Sequence, residues 1–210
     1  VHKFMMNASS SIALTPKRGT VIDLNRRGII ADDAFLNCSL LSEVAMGTSI
    51  SPSKLPETVR RIKIHSGVQS ISEGFFSQCS SVVAIELPDS VTEIGAGAFA
   101  NCSSLSSISV TVSESNSVLL LGEGIVNIPP KVQEIPERCF EGCSSITSVI
   151  VPPSVTSIAN KAFEGCSGMS SFTYQGNSKI DNDIGLPETT EVYVSESYPF
   201  EEIGGKDRKS

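Results

Sequence analysis

Five phenylalanines, Phe35, Phe76, Phe99, Phe140 and Phe163, are each followed three residues later by a cysteine: Cys38, Cys79, Cys102, Cys143 and Cys166. The gaps between these cysteines are 41, 23, 41 and 23 residues. A fixed period of this size marks stacked structural units, because a unit so small cannot bury its apolar face without a neighbour on either side. The spacing therefore outranks any local propensity and predicts a solenoid.

The 41-residue gaps resolve once the strands are added. After each cysteine comes a short alternating segment: SEVAM at 42–46, VAIEL at 83–87, SSISV at 106–110, TSVIV at 147–151 and SSFTY at 170–174. Alternation of this kind predicts a strand with one buried face. Further strands, RRIKI at 60–64, EGIVNI at 123–128 and TEVYV at 190–194, have no Phe-x-x-Cys unit before them. The last inward residues are Met46, Ile64, Leu87, Val110, Ile128, Val151, Tyr174 and Val194, in steps of 18, 23, 23, 18, 23, 23 and 20. The supermodule is thus 64 residues, one short coil and two full coils, and it explains why LPDSVTEIGAGAFANCSSLSSISV at 87–110 is echoed by VPPSVTSIANKAFEGCSGMSSFTY at 151–174. Within a full coil Phe99, Cys102 and Leu105 fall three apart, which predicts one inward face of a single helical or 3₁₀ turn; Phe140, Cys143 and Ile146 repeat the set, as do Phe163, Cys166 and Met169.

The pattern Ile-Gly-x-x-Ala-Phe-x-x-Cys-Ser-Ser-Leu-x-x-Ile-x-Val, from Ile94 to Val110, resembles the leucine-rich repeats of the BspA-like family, the Treponema-type repeats of bacterial and trichomonad surface proteins. The likeness covers roughly residues 28–174, with weaker echoes to 195. The resemblance implies an α/β repeat fold, a right-handed solenoid with a curved parallel sheet on one face and short helices or 3₁₀ turns on the other. It also implies a non-catalytic cell-surface or extracellular protein in cell adhesion and host–pathogen contact, binding a protein or glycoprotein of the host extracellular matrix or of another cell. Residues 1–27 match the repeat poorly and are expected to form an N-terminal segment or cap, 28–194 the solenoid, and 195–210 a C-terminal tail or cap over the last coil.

Charge narrows the partners. A net charge of −7 with pI near 4.9 argues against nucleic acid, whose binding needs clustered Lys and Arg. No apolar run approaches the roughly 20 residues that span a bilayer, and the opening VHKFMMNASSSIALTPKRG lacks a continuous apolar segment of signal-peptide type. A chain beginning with Val reads as a processed product or a piece of something longer.

Catalytic and metal chemistry find little support. Metal sites need close pairs such as Cys-x₂-Cys. The repeated cysteines instead occupy one structural position and read as buried ladder residues, packing like small hydrophobes; Cys139 alone stands near enough to Cys143 for a bridge to be weighed. Of the two histidines, His2 and His65, the latter follows the strand residue Ile64 without a recognisable Ser or Cys partner, so a structural role outweighs acid–base work. No nucleophile-elbow or phosphate-loop pattern occurs, and no metal or cofactor is expected. LPET at 55–58 and 186–189 resembles the start of a sortase signal, but both copies lack the following Gly and fit the repeat's own Pro-turn grammar. Sequons occur at Asn7, Asn37 and Asn101; Asn7 is the favoured acceptor, because the other two precede ladder cysteines in packed surroundings.

A ligand is expected on the sheet. With Ile62 and Ile64 inward, the alternate residues face out, and carrying that phase along the stack gives Ala45, Lys63, Glu86, Ser109, Asn127, Ile150, Thr173 and Tyr193. The row is mixed and mostly uncharged, and solenoids bind partners across such extended faces; the competing reading is a merely solvated sheet surface. The alternative function is an intracellular scaffold or regulatory protein-interaction module, which unpaired cysteines suit.

Overall fold

The computed structural model describes residues 3–5, 21–24, 35, 38–112, 117–118 and 124–209. Each alternating segment named above becomes a strand, and the chain climbs by laying every new strand beside the last. In chain order the first strands are β1 (Lys3–Met5), β2 (Val21–Asp23), β3 (Glu43–Met46), β4 (Arg61–Ile64), β5 (Ser70–Ile71), β6 (Ala84–Pro88), β7 (Glu93–Ile94), β8 (Ser107–Val112) and β9 (Ser117–Val118). There follow β10 (Ile125–Asn127), β11 (Glu134–Ile135), β12 (Ser148–Val151), β13 (Ser157–Ile158), β14 (Ser171–Tyr174), β15 (Glu191–Val194), β16 (Glu202–Ile203) and β17 (Lys206–Asp207).

The main sheet runs β1-β2-β3-β4-β6-β8-β10-β12-β14-β15, every neighbour parallel, with β9 folded back antiparallel on β8. Two small parallel pairs, β5 with β7 and β11 with β13, line a second side of the coils. The fold is a parallel β-solenoid, the architecture of a leucine-rich repeat. Inward residues match the alternation: Met46, Ile64, Leu87, Val110, Ile128, Val151 and Tyr174 are all buried, and Val194 is half-buried against the same core.

The turn side departs from expectation. The one helical segment among the described residues is a 3₁₀ turn at Pro52–Lys54, in a short coil. Phe99, Cys102 and Leu105 do point into the core, yet their backbone makes single turns, Cys102 N–H to Phe99 O at 3.2 Å and Leu105 N–H to Cys102 O at 2.9 Å, that never extend into a helix. Two left-handed residues per coil are the cause. One lies two positions before the Phe (Gly74, Gly97, Arg138, Lys161; φ 60, 58, 55 and 58°) and one just before the Cys (Gln78, Asn101, Gly142, Gly165; φ 67, 60, 71 and 76°). Each reverses the helical sense, so alternate N–H groups turn outward to the next coil. Phe76 N–H donates to Ala98 O, Phe99 to Cys139 O, Phe140 to Ala162 O and Phe163 to Ile184 O, at 2.8–2.9 Å. Coils approach so closely here that a Cβ on Gly95 would lie 2.3 Å from Glu73 N.

Two ladders run through the core. Phe76, Phe99, Phe140 and Phe163 stack face to face with centroids 5.3, 5.1 and 5.3 Å apart and planes within 8°. Beside them each thiol donates to the carbonyl of the phenylalanine one coil earlier: Cys102 to Phe76 at 3.0 Å, Cys143 to Phe99 at 3.0 Å and Cys166 to Phe140 at 3.1 Å. Cys79, Cys102, Cys139, Cys143 and Cys166 form no disulfide, so the Cys139–Cys143 bridge is not made. After β15 the chain turns back: Tyr198 is buried edge-on against Tyr174, Ile203 enters the core, and Lys209 N–H reaches Val192 O of β15 at 2.8 Å.

Candidate binding face

Register places the whole outward row in one line. Asp23 pairs with Ala45, Ala45 with Lys63, Lys63 with Glu86 and Glu86 with Ser109. Beyond β8, where Val126 pairs with Ile108, the line continues Asn127, Ile150, Thr173, Tyr193. Asp23, which pairs with Met5 of β1 on its other side, was missed because it precedes the stretch where the repeat is legible. A second outward line two residues earlier holds Glu43, Arg61, Ala84, Ser107, Ile125, Ser148, Ser171 and Glu191, and the same alternation would have found it.

Accessibility splits the row. Lys63, Glu86, Ser109, Ile150 and Thr173 are partly exposed and Tyr193 is 42% exposed. Ala45 and Asn127 are each only 6% exposed, so neither belongs to the accessible face. Asn127 turns its amide into the sheet, Nδ2 donating to Ile108 O at 3.2 Å, a use of an outward position that alternation cannot reveal. Across the strand that carries Ala45, His65 Nε2 stands 2.9 Å from Oδ1 of Asp23, whose side chain is 4% exposed, without the alignment of a hydrogen bond. His65 thus has a carboxylate partner that its sequence context did not disclose.

Two cations of the face are matched within it. Lys63 pairs with Glu86, whose Oε1 also accepts from Thr111 Oγ1. At the other end Glu191 accepts from the Tyr193 hydroxyl at 2.6 Å and from Lys209 Nζ at 3.0 Å. The Tyr193 bond, then Lys209, holds the Glu191 carboxyl below its ordinary range, and the same carboxylate pushes the Tyr193 hydroxyl up.

The sequons and thiols complete the inventory. Asn7 and Asn37 lie outside the described residues, whereas Asn101 is exposed at its left-handed turn rather than packed. Burial pushes the thiols up, Cys79 to about 11 and Cys102 and Cys166 to about 12, so they are poor nucleophiles and poor ligands. Among the described residues no group of three or more His, Cys, Asp or Glu is placed to hold a metal ion, and no helix is long and apolar enough to cross a membrane.

Comparison with known proteins agrees with this architecture. Similar solved structures include a leucine-rich cell surface protein of Faecalibacterium prausnitzii A2-165 (TM-score 0.55, 22% identity, 93% of this chain and 52% of that one) and the leucine-rich repeat protein of T. pallidum (TM-score 0.50, 23% identity, 91% and 72%). At such identities the likeness speaks to the fold, and this chain spans about half the length of the first. No curated protein matches. The BspA-type leucine-rich repeat region matches in six copies over residues 54–119 and 124–184, and with that much of it covered the chain belongs to the BspA-type leucine-rich repeat family.

Proposed function

We propose that the protein is a non-catalytic cell-surface or extracellular adhesion module that holds a protein or glycoprotein ligand, of the host matrix or of another cell, on the outward face of its main sheet. The observation that carries this reading is the single register line from Lys63 to Tyr193, an outward row carried on consecutive parallel strands from β4 to β15. Membership of the BspA-type family supports it, as does the likeness in fold to a leucine-rich cell surface protein.

The test is binding to immobilised extracellular-matrix glycoproteins and to intact cells, with charge introduced on the face. Thr173→Lys together with Ser109→Lys should abolish capture while leaving the melting temperature unchanged, whereas Glu137→Lys on the turn side should not matter. Capture indifferent to the face substitutions and lost with Glu137→Lys would move the site to the turns. A second reading, an intracellular scaffold, is favoured by five thiols, Cys79, Cys102, Cys139, Cys143 and Cys166, that form no disulfide; labelling of intact cells separates the two.

A further inference from the structure

Hydroxyl groups in this protein fall into two populations. Away from the sheet face they join one coil to the next: Thr92 and Thr156 donate to Gln69 O and Gln133 O at 3.2 and 3.4 Å, Ser106 and Ser170 to Val83 O and Thr147 O at 3.3 and 3.2 Å, and Ser145 to Ser103 O at 2.6 Å. On the face Thr111 donates to Glu86 Oε1, and beyond it the pattern stops. Ser107 and Ser109 on β8, Ser148 on β12, and Ser171 and Thr173 on β14 are half-buried on paired strands, and their hydroxyls bond to no other protein group. They stand at two heights, with Ser107, Ser148 and Ser171 on one outward line and Ser109 and Thr173 on the other. The Tyr193 ring stands exposed one strand beyond Thr173.

Charge decides what this platform can hold. Lys63 is matched by Glu86 and Lys209 by Glu191, and exposed Arg61 lies on β4, outside the stretch from β8 to β14, whose two outward lines carry no charged side chain and present donors and acceptors without net charge. We propose that the face takes an uncharged glycan, an inference that rests on the sheet-face reading above and names the chemistry of its ligand. A polyanionic partner needs clustered, unmatched Lys and Arg. A polypeptide partner takes hold through aromatic or Arg anchors sunk in pockets, and this outward row is flat and carries a single exposed aromatic ring. A sugar ring offers hydroxyls that donate and accept at once, as Ser and Thr hydroxyls do, and an apolar face that lies against Tyr193 or Ile150. Ser148 and Ser171 stand on neighbouring strands about 4.8 Å apart, the scale of one sugar unit, and Ser107 lies two strands from Ser148, across Ile125. Hydrogen bonds made in water are each weak, so a single glycan is held loosely, and tight capture comes from many glycans on one surface.

The probe is an immobilised glycoprotein bearing uncharged, galactose-terminated glycans, compared with the same glycoprotein after enzymatic glycan removal and with panels of neutral, sialylated and sulfated oligosaccharides. Capture should fall at least about tenfold on glycan removal and again in the Ser109→Ala/Thr173→Val double variant, which deletes hydroxyls without changing size. Neutral oligosaccharides should compete and sulfated ones should not. Binding to no neutral glycan, or to sulfated chains only, overturns the proposal. Capture that survives glycan removal but responds to the face substitutions also overturns it, and leaves a protein ligand on the same face. Glycan capture indifferent to those substitutions removes the sheet-face reading as well.

Discussion

Phe99 and Phe140 stack ring on ring, their centroids 5.1 Å and their planes 3° apart, although 41 residues separate them. On the other side of the solenoid the strands that follow them, β8 and β12, are separated by β10. One ring step on the turn side is matched by two strand steps on the sheet side, about 9.6 Å at the usual spacing. The short coil therefore adds a strand to the binding face without adding a layer to the phenylalanine ladder, and widens the one relative to the other.

Phe140 sits mid-ladder, fully buried between Phe99 and Phe163. Phe140→Ala should cost about 3–5 kcal/mol, the range for emptying a packed aromatic site, read as a lower urea midpoint followed by circular dichroism. Phe140→Leu should cost less, since much of the volume remains. A loss below about 1 kcal/mol for the alanine variant would mean that the coils on either side collapse into the gap.

Much of this was legible in the sequence, and the limits are physical. The Phe-x-x-Cys period and the inward alternation are side-chain patterns, and both survive intact. Helical turns were expected from the three-residue spacing of Phe99, Cys102 and Leu105, but that spacing is equally satisfied by a turn broken at Asn101 and Gly97. Where glycine fills the left-handed site a reader is warned; Arg138 and Lys161 hide the same backbone under a charged side chain. The burial of Asn127 depends on Ile108 of the adjacent strand and the Asp23–His65 contact reaches across two strands, and no local pattern encodes either.

The left-handed positions make a paired prediction of opposite sign. Gly165→Ala forces a Cβ into φ 76° and should destabilise by about 1–2 kcal/mol. Lys161→Gly relieves the same strain at φ 58°, offset by glycine's greater freedom when unfolded, and should stabilise by up to about 1 kcal/mol. The Lys161–Glu164 ion pair lost with it is exposed and worth little. Equal destabilisation by both substitutions would show that the turn does not require its left-handed residues.

Buried thiols set an alkaline limit. Desolvation raises Cys102 and Cys166 to about 12 from an ordinary value of 9.0. Above pH 9 the unfolded chain sheds these protons while the fold keeps them, so the unfolded state binds fewer protons and stability falls as pH rises towards 12. The slope is about 1.4 kcal/mol per pH unit for each such thiol. Thermal melts from pH 8 to 11 should fall more steeply for the parent than for a Cys102→Ala/Cys166→Ala variant. At pH 8 a thiol reagent should modify at most Cys79, the one half-exposed cysteine, until denaturant frees the rest.

The mismatch between ring and strand steps predicts that one coil is dispensable. Val110 and Ile128 occupy the same inward position at the ends of successive main-sheet strands, so deleting residues 111–128 joins Val110 to Pro129 without changing the phase of anything downstream. The rings of Phe99 and Phe140 are already in contact, and β8 would meet β12 in the register that β10 now relays, Ile108 opposite Val149. The shortened chain should fold cooperatively, with a denaturant slope smaller by about a tenth, in proportion to the residues removed. It should also lose Asn127 and one strand's width from the face, drawing Ser109 and Ile150 from two strand spacings apart to one. If the deletion instead abolishes cooperative unfolding, the short coil holds its neighbours together and is no mere spacer.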